Sequence, residues 1–257
     1  MKTEFQGIAA ELYDLLHSGN TDSAVYPELI KRYFGTDVLE LGCGSGRLSI
    51  PLAQNGCNVT GIEYEKDMIS LLLSKDYPNE RLSVIRGDAR DFNIGKKFDV
   101  VLLACNFLNM FIDPYDVLKI LISSKRHLKP GGAIIIDSSL PDLTSMAEEN
   151  GMTFVSEFKT SRGTTLRDTF TPRYDFVSQL ETDEILIQEF DEADNLLREE
   201  TIVTQLTYYL PREIKMLARE SGLAVSMECG RLACPLVEER IEDNSRNMIF
   251  VLKEPIR

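Results

Sequence analysis

Apolar positions along the chain change period several times. Ile8, Leu12, Leu15 and Leu16 recur at helical spacing, so residues 8–18 read as an amphipathic helix that Gly19 and Asn20 end. A second helix is expected over 24–34. From Asp37 short apolar strands alternate with helices: strand 37–41, helix 47–54, strand 57–63, helix 66–75, strand 82–86 and strand 98–104. Residues 114–128 read as a helix that stops at Lys129-Pro130-Gly131-Gly132, and 133–137 as a fifth strand. This alternation predicts a parallel sheet covered on both faces. Right-handed crossovers then gather the C-terminal strand ends on one edge, where ligands bind.

Residues 151–209 break the rhythm. Val155, Phe158, Leu166, Phe170, Ile185, Ile187, Ile202 and Val203 lie on stretches rich in β-branched and aromatic residues, and Asp191-Glu192-Ala193-Asp194-Asn195 reads as a hairpin turn. Three or four antiparallel strands are expected there. The α/β pattern resumes with a helix over 211–221, opened by Pro211 and closed by Gly222, and with strands over 223–229 and 248–252. The predicted architecture is α/β: a Rossmann-like seven-stranded sheet with helices on both faces, an antiparallel β insertion and an N-terminal helical lid. The expected domains are 1–150 with 210–257, and 151–209 as an insertion covering the acceptor site.

The 257 residues are 43% hydrophobic and 27% charged, ordinary for a globular chain of this size. Formal net charge is −13 and the sequence pI about 4.7. An acidic surface repels phosphate backbones, and Lys and Arg are scattered, so nucleic acid is not an expected partner. The nearest basic cluster, Lys125-Arg126-His127 with Lys129, sits where it complements a helix dipole. Cys43, Cys57, Cys105, Cys229 and Cys234 form no C-x-x-C pair, and with two histidines no metal cluster is expected. Scattered, odd-numbered cysteines suit a reducing compartment, so a cytoplasmic location is expected, with no membrane association. The sequence fixes no oligomeric state; a homodimer is compatible with it.

The strongest chemical signal is Val38-Leu39-Glu40-Leu41-Gly42-Cys43-Gly44-Ser45-Gly46-Arg47-Leu48. A strand ends in an acid and enters a turn whose glycines let a ligand approach the backbone. A dinucleotide fingerprint, G-x-G-x-x-G, would put its third glycine at 47, where this chain has arginine. Glu63 ends the next strand, 23 residues after Glu40, where an acid can accept hydrogen bonds from both ribose hydroxyls of a nucleoside. Asp88, just past the third strand, can accept an adenine amino proton. Cys105-Asn106-Phe107-Leu108-Asn109 is the polar exit of the fourth strand, and Asp137 ends the fifth.

At these residues the chain resembles the class I S-adenosylmethionine-dependent methyltransferases. Glu40 to Gly46 looks like that family's E/D-x-G-x-G-x-G motif, Glu63 like its ribose-binding acid, and Tyr64 and Met68 like the apolar residues flanking adenine. Gly87-Asp88-Ala89 is similar to the adenine-edge motif, and Leu128-Lys129-Pro130-Gly131-Gly132 to the turn before the fifth strand. The resemblance covers about residues 8–140 and 205–252. The insertion and N-terminal helices resemble the small-molecule branch, which includes N-methyltransferases of amino sugars and amino acids. There Tyr13-Asp14-Leu15-Leu16 looks like a Y-D-x-L cap over the cofactor.

The resemblance implies S-adenosyl-L-methionine as cofactor, S-adenosyl-L-homocysteine as product, and transfer of a methyl group to N or O of a small-molecule acceptor. The implied cofactor residues are Tyr13, Glu40, Gly42, Cys43, Gly44, Gly46, Glu63, Tyr64, Met68, Asp88, Ala89, Cys105 and Asn106. Tyr13, His17 and Asn109 are the candidate catalytic residues. A sulfonium is already activated, so the protein must mainly align the reactants and exclude water. Good alignment contributes about 7–11 kcal/mol, and a general base roughly 10²–10⁴-fold more. The acidic insertion hairpin reads as a solvated face or as an attractor of a cationic acceptor, whereas Arg162, Arg167 and Arg173 would suit a carboxylate or phosphate. A nicotinamide-dependent dehydrogenase is disfavoured by the displaced third glycine. A non-catalytic nucleoside- or partner-binding module is disfavoured by the intact set of cofactor residues, and aminopropyl transfer by the lack of an acidic signature after the fourth strand.

Overall fold

The computed structural model describes residues 5–16, 22–237, 240–242 and 244–255. The chain divides into two compact units. The larger takes in residues 20–141 and 209–257, the smaller 1–19 and 142–208.

In the larger unit α2 (Val25–Tyr33) is followed by β1 (Asp37–Leu41), α3 (Ser49–Gln54), β2 (Asn58–Glu63), α4 (Lys66–Ser74), β3 (Leu82–Arg86), β4 (Phe98–Leu103), α5 (Pro114–Arg126) and β5 (Leu128–Ser139). After the smaller unit come α7 (Pro211–Glu220), β10 (Ala224–Cys229) and β11 (Asn247–Lys253). The seven strands lie in the order β10-β11-β5-β4-β1-β2-β3. Alternate residues along each strand feed separate cores. Leu39, Leu41, Val101, Leu103, Ile134 and Ile136 pack with Val117, Ile120, Leu121 and Ile214 of α5 and α7. Val38, Val59, Val100, Leu102 and Ile135 face Tyr26, Leu29, Ile30, Leu52 and Leu72 of α2, α3 and α4. Burial on both sides is why these strands read as near-continuous apolar runs.

Two expectations are corrected. The sheet is mixed: β11 runs antiparallel to both β10 and β5. Among the described residues no helix links β10 to β11, and an antiparallel return needs no crossover. The fifth strand begins at Leu128 and not after the Pro-Gly-Gly turn. Gly132 lies against backbone, since a Cβ there would stand 2.9 Å from the Asp99 carbonyl oxygen and 3.1 Å from that of Phe98. The stretch that reads as a turn is therefore a bulge inside the strand: Leu128 pairs with Phe98 before it and Ala133 with Val100 after it, with a register shift between Phe98 and Val100.

The smaller unit contains α1 (Gly7–Leu16), α6 (Leu143–Glu149), β6 (Phe154–Lys159), β7 (Thr165–Asp175), β8 (Leu180–Phe190) and β9 (Leu196–Thr207). The four strands form one antiparallel meander, β6-β7-β8-β9. The predicted hairpin turn closes through Asp191 and Asn195, with Asp194 at φ 62°. Ile8, Ala9 and Leu12 of α1 bury their side chains on Leu166, Ile185, Ile187 and Ile202 of the sheet. At the edge of that contact Arg162 and Arg198 bind both Glu11 and the buried Glu189. The sequence reading missed α6, whose N-terminus Asp142 caps by accepting from Thr144 N and Ser145 N, each at 3.1 Å.

Candidate functional site: a nucleoside cradle at the sheet edge

The glycine turn is held tightly to the second strand. Gly42 N and Cys43 N both donate to the Ile62 carbonyl, at 2.8 and 3.1 Å. The Cys43 side chain sits over Gly61, where a Cβ would come within 2.5 Å of Sγ. Cys43 is thus a packing residue at the bottom of the turn, and burial pushes its thiol far above the ordinary range. Gly42 has φ +69° and faces the Phe107 ring, leaving no room for a side chain. Gly44 has φ +54°, and a Cβ there would meet only Met68 Cε, at 3.2 Å. The other side of Gly44 is open, as a backbone needs to be where a ligand approaches.

Three acids border this turn in different states. Glu40 is buried at the end of β1 and receives a hydrogen bond from Ser49 Oγ. Burial pushes its carboxyl up to about 7, against the opposing effects of Ser49 and the Arg47 charge. Glu63 accepts from Gly44 N through Oε2, and from Tyr64 N and Glu65 N through Oε1, each at 2.8 Å. Three backbone donors thus fix the carboxylate, and Oε2 keeps a lone-pair direction for a ribose hydroxyl. Its pKa is raised by burial, with these N–H groups opposing. Asp88 is gripped by Arg90, whose Nη2 lies 2.6 Å from Oδ2 and whose Nη1 also reaches Asp116. That guanidinium holds Asp88 below the usual carboxylate range.

The fourth strand ends beside the first, and the fifth beside the fourth. Cys105 and Asn106 both have left-handed backbone, φ 59° and 60°, which turns the chain sharply over the sheet edge. Asn106 Oδ1 accepts from Ser139 N at 2.6 Å and from Ser138 Oγ at 3.2 Å, and Asn109 Oδ1 accepts from the same hydroxyl at 3.2 Å. Asn109 is therefore placed as a brace between loops. Tyr26 donates to Asp137 at the end of β5, and both are buried. Tyr64 is 61% exposed next to Glu63, whereas Met68 and Ala89 are buried.

Glu40, Gly42, Cys43, Gly44, Gly46, Glu63, Tyr64, Met68, Asp88, Ala89, Cys105 and Asn106 all belong to the larger unit, on the turns at the C-terminal ends of β1 to β4 or, for Met68, the first turn of α4. Tyr13 lies in the smaller unit, on α1, with its ring edge-on to Phe5 at 5.9 Å. His17 falls outside the described residues. Sequence reasoning missed Ser49, Phe107 and Tyr26. Only Ser49 carried a signal, being a polar residue one helical turn past a glycine loop.

The donor set suits a nucleoside with a charged tail: an open glycine turn, a fixed acid one strand along, an exposed aromatic beside it and buried acids behind. Residues 38–132 match the family described as "Methyltransferase domain". The chain is 28% identical over 248 residues to the cypemycin N-terminal methyltransferase of a Streptomyces species, covering 95% of each chain. It is 25% identical over 143 residues to a dTDP-3-amino-3,6-dideoxy-alpha-D-glucopyranose N,N-dimethyltransferase of Streptomyces fradiae, covering 53% and 55%. The fold is shared with SAM-bound CalS10, an amino pentose methyltransferase of Micromonospora echinaspora, with a TM-score of 0.71, 19% identity and 98% coverage of both chains. Fold and site together define a Rossmann-like methyltransferase. Over residues 38–132 the chain carries a methyltransferase domain of the class I S-adenosylmethionine-dependent type, and S-adenosyl-L-methionine is the cofactor.

Proposed function

We propose that the protein methylates the amino nitrogen of a small-molecule or short peptidic acceptor. The observation that carries this reading is a set of carboxyls on one face of the four-stranded sheet. Asp168, Glu181 and Asp183 share that face by register, since Asp168 pairs with Ile187, four positions beyond Asp183 and six beyond Glu181 on β8. Asp183 is 3% exposed, and Asp168 Oδ1 is buried without a hydrogen bond. Burial raises the pKa of Asp168, and that of Glu181 despite its hydrogen bonds with Tyr174 and Asp183. Desolvated acids of this kind gain most from an ammonium partner. The relatives named above act, by name, on amino groups, which supports the same choice.

The larger unit then binds the cofactor, through Gly42, Gly44 and Gly46 at the backbone, Glu63 at the ribose, and Tyr64, Met68, Asp88 and Ala89 around the base. The bound cofactor supplies an electrophilic methyl on a sulfonium. The carboxyls on this sheet face suit a protonated amine, whose nitrogen must lose a proton before its lone pair can attack. Tyr13 contributes to cofactor affinity, and Asn109 holds the exit of the fourth strand in place.

The test is turnover, followed by mass spectrometry, on matched pairs of acceptors in which an amine is replaced by a hydroxyl. A mass gain of one methyl on amino sugars or peptide N-termini, with little on the hydroxyl partners, is expected. Asp183→Asn should depress amine turnover at least tenfold, the size of a lost charge-assisted hydrogen bond. Equal turnover of the hydroxyl partners would remove the amine reading.

A further inference from the structure

The loop that joins β10 to β11 carries a cavity that none of the roles above uses. Its place follows from strand direction. β11 is antiparallel to both β5 and β10, so β10 runs the same way as β5. Cys229, the last residue of β10, and Asn247, the first of β11, therefore lie at the edge where β1, β2, β4 and β5 end, with Asn247 paired to Ser139. Ligands of open α/β sheets bind along that edge. In the strand order β11 is three strands from β1, roughly 14 Å at the usual spacing. The loop thus shares an edge with the nucleoside cradle and stands apart from it.

The cavity measures about 500 Å³, the size of a small-molecule site, and Arg231, Arg240, Arg246, Glu242, Asn244 and Asn247 line it. The loop around it is tied. Ser245 N donates to the Glu242 carbonyl at 2.9 Å, and Glu242 N donates to Ser245 Oγ at 3.0 Å. The same hydroxyl packs over Gly230 and leaves no room for a Cβ there. Among the described residues, none of the three guanidinium groups makes a hydrogen bond or an ion pair, and all three are exposed. Elsewhere such groups are committed: Arg90 to Asp88 and Asp116, Arg162 and Arg198 to Glu11 and Glu189. Glu238, Glu239 and Asp243 of this loop fall outside the described residues.

The lining selects a ligand. Glu242 offsets one of the three positive charges and leaves two. Two positive charges on planar forks, beside two neutral amides, match a phosphoryl dianion, whose oxygens accept several N–H groups at once. S-adenosylmethionine has no phosphoryl group, so this lining serves a different molecule.

We propose that the cavity between β10 and β11 is a phosphoryl-binding site separate from the cofactor site. Its ligand is a phosphate or diphosphate, either carried by the acceptor as an ester or free in solution.

Calorimetric titration of protein saturated with S-adenosylhomocysteine tests this. The probes are inorganic pyrophosphate, glucosamine 1-phosphate and glucosamine. Both phosphorylated probes should bind, with glucosamine at least about tenfold weaker than its phosphate. The double variant Arg240→Gln with Arg246→Gln should weaken both by more than about tenfold, and lysine at the same two positions by less. Glu242→Gln, which removes the opposing carboxylate, should tighten both by about threefold, a gain that misfolding cannot produce. Tighter binding of glucosamine 1-phosphate than of pyrophosphate supports a site for an esterified acceptor, and the reverse order supports a site for the free anion. No binding of either phosphorylated probe overturns the proposal, as does equal binding to wild type and the glutamine variant. Loss of S-adenosylhomocysteine affinity in that variant would assign the arginines to the cofactor and overturn it as well. Should the glutamine variant melt well below wild type, the response of Glu242→Gln decides.

Discussion

The seven-stranded sheet and the four-stranded sheet place polar groups by opposite rules. In the first, β1, β2 and β4 are buried on both faces, so their middles are apolar and the chemistry is pushed to the strand ends. Glu40, Glu63 and Cys105 all sit at or just past a C-terminal end. In the second, burial alternates along β8, where Asp183, Ile185, Ile187 and Glu189 are covered and their neighbours more open. Its acids therefore lie mid-strand, on a face, with ion pairs such as Arg198–Glu189 holding the rim. A site at strand ends is built from turns, and turns leave local motifs. A site on a sheet face is built from residues one strand apart in sequence, which leaves no motif. Under the proposed function the comparison also divides the labour: nucleoside recognition in the larger unit, acceptor charge in the smaller.

The largest effect should come from blocking the turn. Gly44→Val puts a branched side chain at φ +54°, with only the flexible end of Met68 within 4 Å of its Cβ. Affinity for S-adenosylhomocysteine should fall by more than about a hundredfold, while strain in the left-handed conformation costs about 1–3 kcal/mol of stability. Calorimetry and a urea melt read the two separately. Near wild-type affinity would mean the ligand does not approach this backbone.

Glu40 gives the next effect, visible as a pH dependence. Its folded pKa of about 7 stands above the ordinary 4.5, chiefly through burial. The folded state therefore holds the proton more tightly than the unfolded one. The stability this provides is complete below about pH 4.5 and is lost as pH rises through 7. Glu40→Gln should remove this loss. In ligand-free urea unfolding, the variant should gain on wild type by about 2–3 kcal/mol between pH 5 and pH 8. Parallel stability curves would show that Arg47 and Ser49 already compensate the buried charge.

The ionic rim of the smaller unit should matter for stability and not for the cofactor. Glu189 is 4% exposed and receives Thr164, Arg198 and Arg162, which hold its carboxyl low despite burial. Glu189→Ala should destabilise by about 2 kcal/mol. That is less than a fully buried pair, because both arginines are partly in water and keep Glu11. Affinity for S-adenosylhomocysteine should change by less than about threefold. A large change would break the division between the units.

This contrast explains what could be read before any coordinates. The strand-to-glycine-turn-to-helix run over 37–54 announces itself because every residue type in it answers a local demand: φ above zero at 42 and 44, an acid before, a helix after. The strand at 98–103 follows from a buried apolar run, and the helix at 211–220 with the strand at 224–229 from plain punctuation. The direction of β11 was not legible, since a strand's sequence does not encode which way its neighbour runs. The start of β5 is hidden by a Pro-Gly-Gly stretch that bulges between Leu128 and Ala133, both of which pair with β4. Ser49 under Glu40 and Phe107 over Gly42 are contacts across 9 and 65 residues, and nothing local marks them. The acidic hairpin reads in sequence as a solvated face or as an attractor of a cationic acceptor, and only register shows that its Asp183 shares a buried face with Asp168 of β7.

Tyr13 gives the smallest expected effect and the sharpest test of the comparison. It lies in the smaller unit, on a helix whose apolar side is already spent on Leu166, Ile185, Ile187 and Ile202. The helix thus has its apolar partner within the smaller unit, whatever the role of the Tyr13 phenol. The Y-D-x-L resemblance gives that phenol to the cofactor. Tyr13→Phe keeps the ring against Phe5 and removes only the hydroxyl, so stability should be unchanged within about 0.5 kcal/mol. Affinity for S-adenosylhomocysteine should fall by about 0.5–1.5 kcal/mol, the net value of a typical hydrogen bond. A loss of turnover with no loss of affinity would move Tyr13 from the cofactor to the acceptor and leave nucleoside recognition wholly to the larger unit. No change in either would make it a packing residue of α1. The expected result, weaker binding at constant stability, instead means that the smaller unit serves both substrates of the reaction.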